Sequence, residues 1–386
     1  MFGIPEVIFL LLCLLVVYFR SGLGHLIHHI SNHINTSTTI FDPPPNMMAR
    51  GGSARIPSRR IQPFPNRPNQ SPEQTTTHYP TPKDCAMVKG ILAKAANFPP
   101  ELADIVMDFA EYWACSVASI DYSVTANQNH AIHGGRSDEN QMLLRTEPLG
   151  LTTWHSNDEE LWHAEAPACK IEEEYPRKEL ERFVEGPPST LEHPFRKIIF
   201  DIVSRDQGWS HEPDTHHTYR SSWTWFDAGI DRFDKAHNCS AGCNCTENLK
   251  SESSSSREKV PTTCAIRPVW PPLKKKDSSE KEKKNSSDYE YDHQLHSTSD
   301  HKIRCNRVAE HDWQHHHIEW SWTDAIDPDS NAGKELEANG RGSATGNGNF
   351  LRSLKVGDMV TVWGRARFPG WANRIQKVEV QVYWAQ

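Results

Sequence analysis

The sequence is poor in apolar residues, at 37%, where ordinary globular proteins reach roughly 45–50%. A fully packed body of 386 residues is therefore not expected. No apolar stretch exceeds the thirteen residues Val7–Phe19, which excludes a multi-span helical membrane protein. A basic surplus is also missing: 42 Lys and Arg face 50 Asp and Glu, for a net charge of -8. That argues against a dedicated nucleic-acid binder. The nine cysteines are odd in number and scattered, so they imply no dense disulfide framework. The chain contains no G-x-S-x-G, P-loop, H-E-x-x-H or paired C-x-x-C motif, and neither an enzyme nor a cofactor is indicated.

What is present is uneven. Residues 1–30 hold the run VIFLLLCLLVVYF, with Val7, Leu11, Leu15 and Phe19 along it. A bilayer span takes about 20 residues, and Ile4, Leu23, Leu26 and Ile27 extend the run toward that length. The reading is a single-pass anchor, with a cleaved signal peptide as the alternative. Arginines follow the run (Arg20, then Arg50 to Arg67) while only Glu6 precedes it, which predicts a cytoplasmic bulk. Four N-x-S/T sequons, at Asn35, Asn238, Asn244 and Asn285, are usable only if the chain is lumenal or secreted.

Residues 31–84 read as a disordered linker, with ten prolines between Pro43 and Pro82 and no apolar periodicity. Residues 85–125 read as a helical segment. Pro99, Pro100 and Glu101 make a helix start, and Leu102, Ile105, Val106, Phe109 and Trp113 recur at helical spacing. A shorter helix over Met87–Ala96 precedes it. Residues 126–190 form an acidic variable region of loops, with a short helix around Pro176–Val184.

From residue 191 the pattern becomes period two. Phe195–Val203, Tyr219–Phe226, His316–Trp322, Met359–Trp363 and Val378–Trp384 alternate as half-buried strands do. No helix-period segment separates them. The expected fold is mainly β: a C-terminal antiparallel sandwich over 191–386. Residues 234–302, rich in Ser, Lys and Glu, read as a disordered insert within it.

The successive segments HPFRKIIFDIVSRDQGWS, TYRSSWTWFDAGI, HHHIEWSWTD and LKVGDMVTVWGRARFPGWANRIQKVEVQVYW resemble a large group of uncharacterised fungal proteins. Those share a Trp-rich C-terminal β domain with DQGWS, SWTWF and R-A-x-F-P-G-W signatures, preceded by a PPEL helix. The resemblance covers roughly residues 97–115, 193–233 and 303–386 and implies the β fold but no activity. Phe98–Leu102 also resembles the opening of an F-box, a ubiquitin-ligase adaptor that needs further helices after the first.

Candidate site residues follow. Cys239, Cys243 and Cys245 lie beside His237, but a structural zinc site wants two paired ligand arms. His315 and His317 share a strand face near His311 and His316. Asp327, Asp329 and Asn331 resemble a calcium-loop front, yet Ala332 and Ala338 stand where glycine and glutamate belong. A polar hairpin loop explains that stretch. Trp209, Trp223, Trp225, Trp320, Trp322, Trp363, Trp371 and Trp384 all fall in the β region. Trp223 pairs in face with Trp225, and Trp320 with Trp322, as core stripes do. Trp371, Arg365 and Arg367 at the FPGW turn, with Trp209, are the expected binding rim. The partner there is a protein or a glycan. The combined expectation is a membrane-tethered, non-enzymatic interaction module, with a carbohydrate-binding module and an F-box-like adaptor as alternatives.

Overall fold

The computed structural model describes residues 80–95, 98–156, 158–186, 189–237, 261–276 and 288–386, all within one compact unit, 75–386. The apolar run, the Pro-rich linker, the four sequons and Cys239, Cys243 and Cys245 lie outside the described residues. Among the described residues no helix is long and apolar enough to cross a membrane.

The protein is mainly β, in two antiparallel five-stranded sheets. One sheet has the order β1 (Ala114–Asp121), β12 (Ala372–Trp384), β4 (Phe195–Arg205), β10 (Gln314–Ser321), with β2 (His130–His133) also on β12. The other has the order β3 (Asn140–Arg145), β11 (Met359–Ala366), β5 (Thr224–Phe233), β6 (Ile266–Trp270), with β9 (Lys302–Cys305) also on β5. A separate hairpin joins β7 (Leu273–Lys275) to β8 (Tyr289–Tyr291).

Alternation builds the core. Ile198, Phe200 and Ile202 of β4 and Val378, Val380 and Val382 of β12 meet Phe226, Ala228 and Ile230 of β5 and Val360 and Val362 of β11 in one apolar cluster. The outer face of the first sheet is open, so β10 alternates buried and exposed positions from His315 onward. The second sheet is covered on both faces. All eight residues of β11 are buried, and Phe233 and Met359 on its outer side pack with Leu151, Trp154, Leu180 and Ile266 in a second cluster.

Several expectations are corrected. Residues 114–121 leave the helical segment and form β1, paired along its length with β12. The acidic region contributes β2 and β3 where loops were expected, while the helix α3 (Arg177–Leu180) falls within the expected Pro176–Val184. The insert is not structureless throughout, since β6, β7 and β8 lie within it. Its Ser/Lys-rich average hides short segments such as IRPVW. Two helices, α4 (Asn331–Ala338) and α5 (Asn349–Ser353), stand between β10 and β11. The polar stretch expected as a hairpin loop is instead capped by Ser330, whose Oγ accepts from Gly333 N at 3.2 Å. Strand β5 begins at Thr224, so Trp223 precedes it and does not share a strand face with Trp225.

Before the sheets, α1 (Pro82–Ala95) and α2 (Pro100–Phe109) pack together. Thr81 opens α1 with a reciprocal cap: its Oγ1 accepts from Asp84 N at 3.2 Å, and Asp84 Oδ2 accepts from Thr81 N at 2.9 Å. The buried residues of α2 are Ala103, Asp104 and Met107, whereas Ile105 and Phe109 are exposed. Buried cations decide this. Lys89 ion-pairs with Asp104 at 2.5 Å and Arg196 of β4 with Asp108 at 2.7 Å. The helix therefore docks through its acidic positions. After α2 the chain forms strands β1 to β3 rather than the further helices an F-box requires.

Candidate functional site: an aromatic turn over a buried ion layer

Two turns meet at one end of the sheets. The first follows β4. Asp206 is fully buried and organises it, Oδ1 accepting from Gly208 N at 2.8 Å and Glu310 N at 3.0 Å, and Oδ2 from Ala309 N at 2.6 Å. Burial pushes this carboxyl up, and the three backbone donors oppose the shift. The second turn, Arg367–Trp371, joins β11 to β12. Gln207 couples the two: its Oε1 accepts from Ala372 N at 3.2 Å and its Nε2 donates to Trp209 O at 2.7 Å.

The outer surface of this junction is aromatic. Trp209 is 51% exposed and Phe368 42%. The Trp209 ring lies over Gly370, whose missing Cβ would sit 3.5 Å from it. Trp223 meets Phe368 edge-on at 4.6 Å and His296 at 5.3 Å, while His211 flanks Trp209 at 5.3 Å. Trp371 is half-buried beside them. Of the other tryptophans, Trp225, Trp320, Trp363 and Trp384 are buried. Trp322, half-buried, carries the Arg196 guanidinium on its face at 4.0 Å.

Arg365 and Arg367 do not form an exposed rim. Both are buried, at 2% and 3% exposure: Arg365 lies at an odd-numbered position of β11, facing the covered side of the second sheet, and Arg367 follows the strand and lies over the Trp225 ring. Arg365 donates through Nε to Asp227 Oδ2 at 3.1 Å and through Nη1 to Asn140 Oδ1 at 3.1 Å. Its Nη1 also meets His293 Nδ1 at 2.8 Å. Arg367 donates through Nη2 to Gln294 O at 2.6 Å and stacks on Trp225 at 5.0 Å. Alongside, Arg145 pairs with Asp231 at 2.8 Å. Burial, with the charges of Arg365 and Arg367, pushes His293 down to about 3. The ring is thus neutral near pH 7, and Nδ1 accepts from Arg365. Burial pushes Asp231 up to about 6 against the pull of Arg145.

A missing side chain shapes this layer. A Cβ on Gly229 would lie 2.3 Å from Thr361 Oγ1 and 2.7 Å from Trp270 O, so only glycine lets the Trp363 indole lie across β5. Its Nε1 donates to Thr361 Oγ1 at 3.0 Å. Tyr291 and His293 close the layer from above, each at just over 5 Å from Trp363 (5.3 and 5.4 Å).

Sequence reasoning missed Tyr291 and His293 because they sit inside the polar insert. A signal existed for the acids. Asp227 and Asp231 lie four apart on β5, hence on one face, and β11 places Trp363 opposite Asp227 and Arg365 opposite Trp225. Elsewhere, His315 and His317 share Asp201, at 3.3 and 2.8 Å, on the open face. Among the described residues no group of three His, Cys, Asp or Glu side chains is placed to hold a metal ion. No protein-family model, curated protein or solved structure matches this chain.

Proposed function

We propose that residues 80–386 form a non-enzymatic binding module that engages an extended protein segment across the aromatic junction of the Asp206 and Phe368 turns. The observation that carries this reading is the pair of large rings left in water, Trp209 at 51% and Phe368 at 42%. They stand on a rigid support: Gln207 ties the turns together, and the buried Arg365 and Arg367 hold the strand beneath. Aromatic anchors on a rigid base carry much of the binding energy at interfaces. In this reading Val7–Phe19 tethers the module to a membrane and the linker gives it reach, which rests on composition alone. A sugar ligand is the second reading, favoured by the open Trp209 face and its flanking His211.

The test uses the full chain on peptide and glycan arrays, alongside Trp209→Ala and Phe368→Ala. Both side chains are exposed, so both variants should keep the parent's unfolding midpoint. Peptide hits weakened at least about tenfold by either change, one kcal/mol-scale anchor each, are the expected outcome. Glycan hits lost with Trp209→Ala select the second reading. Hits indifferent to both changes refute the junction as the site. Carbonate extraction of membranes carrying the full chain tests the tether separately.

A further inference from the structure

We propose that Arg304, Arg307, Arg341 and His316, gathered around Tyr219, bind the phosphate group of a small ligand. The site lies away from the aromatic junction, where β9 at the edge of one sheet meets β10 at the edge of the other. Arg304 sits on β9 and stacks its guanidinium on the Tyr219 ring at 4.7 Å, with Nη2 donating to the Tyr219 hydroxyl. Arg307 approaches the same ring at 5.6 Å. Arg341 is brought in by a special backbone. Gly340 has φ +78° and its missing Cβ would lie 2.5 Å from Tyr219 Cδ1, while Gly340 O accepts from Cys305 N at 2.8 Å. The loop after α4 therefore lies flat against Tyr219, and only glycine permits it.

This cluster gathers three guanidinium groups with no carboxylate against them among the described residues, whereas Arg267 and Arg352, which also meet none, each donate to backbone carbonyls. Arg145, Arg196, Arg232, Arg365 and Arg367 each meet a carboxylate. Among the described residues Arg304, Arg307 and Arg341 meet none: the nearby Glu337 pairs with Lys302 at 2.8 Å, and Asp324 acts on Arg341 only at longer range. Arg341 finds Thr345 Oγ1 at 3.3 Å. Nε of Arg304, Nε of Arg341 and Nε2 of His316 are all buried with no hydrogen-bond partner. His316 is 4% exposed, so its ring nitrogen is a polar group withdrawn from water and left unpaired, which is costly unless something fills the place. Burial and the charges of Arg304 and Arg307 also hold its ring well below the usual histidine range, at about 3. Guanidinium groups held close enough to act on one another match the oxygens of phosphate better than those of any neutral ligand.

The experiment titrates the full chain with inorganic phosphate and, separately, with methyl phosphate, in chloride buffer of matched ionic strength, by calorimetry. Arg304→Gln, Arg341→Gln and Arg307→Gln are run beside it, their folding checked by circular dichroism. The expected result is binding with a Kd below about 1 mM, weakened at least tenfold in each variant that folds. Preference for methyl phosphate indicates a phosphate carried on a larger ligand, and preference for inorganic phosphate a free ion. No heat above the chloride control, or equal affinity in the variants, overturns the proposal. If Arg304→Gln and Arg341→Gln do not fold, Arg307→Gln, whose half-exposed side chain makes no hydrogen bond or ion pair among the described residues, decides the matter alone.

Discussion

Acidification tests the buried ion layer through one residue, His293. In the folded protein its ring titrates at about 3, whereas an unfolded chain presents a histidine near 6.5. Between those values the unfolded state binds the proton and the folded state does not. Stability from this group is therefore full above about pH 6.5 and falls as pH drops toward 3. Each pH unit in that window is worth about 1.4 kcal/mol, so moving from pH 6.5 to 4.5 removes about 2.7 kcal/mol. Partial exposure of the ring trims this to about 2 kcal/mol. Asp231 works in the opposite direction: its carboxyl titrates at about 6 when folded, above the unfolded value of about 3.9, so acid favours the fold through that group. His293→Asn keeps Asp231 and leaves an amide oxygen to accept from Arg365. The assay is urea unfolding of both proteins at pH 6.5 and 4.5. The wild type should lose about 2 kcal/mol more than the variant over this interval. Equal losses would show that His293 is not held neutral in the folded state.

Two further outcomes are expected. Asp104→Ala strands the Lys89 ammonium, 4% exposed on its side chain, and should cost about 3–5 kcal/mol, while Lys89→Met with Asp104→Leu should recover most of it; a denaturant series on the three proteins decides. Gly229→Ala forces a methyl within 2.3 Å of Thr361 Oγ1, and should cost about 1–3 kcal/mol with a changed near-ultraviolet dichroism from the displaced Trp363.

The strands were legible where residues alternate at period two: β4, β10 and β12, and also β11, although both of its faces are covered and all eight of its residues are buried. β1 was not, because ACSVASID carries small and polar residues and gains its place only by pairing with β12. The helix over 100–109 was found, but its orientation was not. Hydrophobic periodicity assigned Ile105 and Phe109 to the packed face, and long-range ion pairs to Lys89 and Arg196 turned the helix the other way. Arg365 and Arg367 were read as an exposed binding rim because they flank the FPGW turn, and both are buried instead. Their burial depended on Asp227, Tyr291 and His293, which are distant in sequence and whose meeting no local pattern reveals.

The pairing of β1 with β12 also sets a timetable. Ala114 takes Trp384 as its partner, and Asp121 takes Lys377. At ribosomal speeds of about 5–20 residues per second, β1 and β2 wait on the order of tens of seconds for the strand that completes them. β4 waits as well, since it pairs with β12 on one side and β10 on the other. During that interval unpaired strand edges are exposed, the condition in which chains associate with one another. The sheet can be assembled only after β12 has emerged, so a nascent chain stalled before residue 372 should be held by chaperones rather than fold in stages.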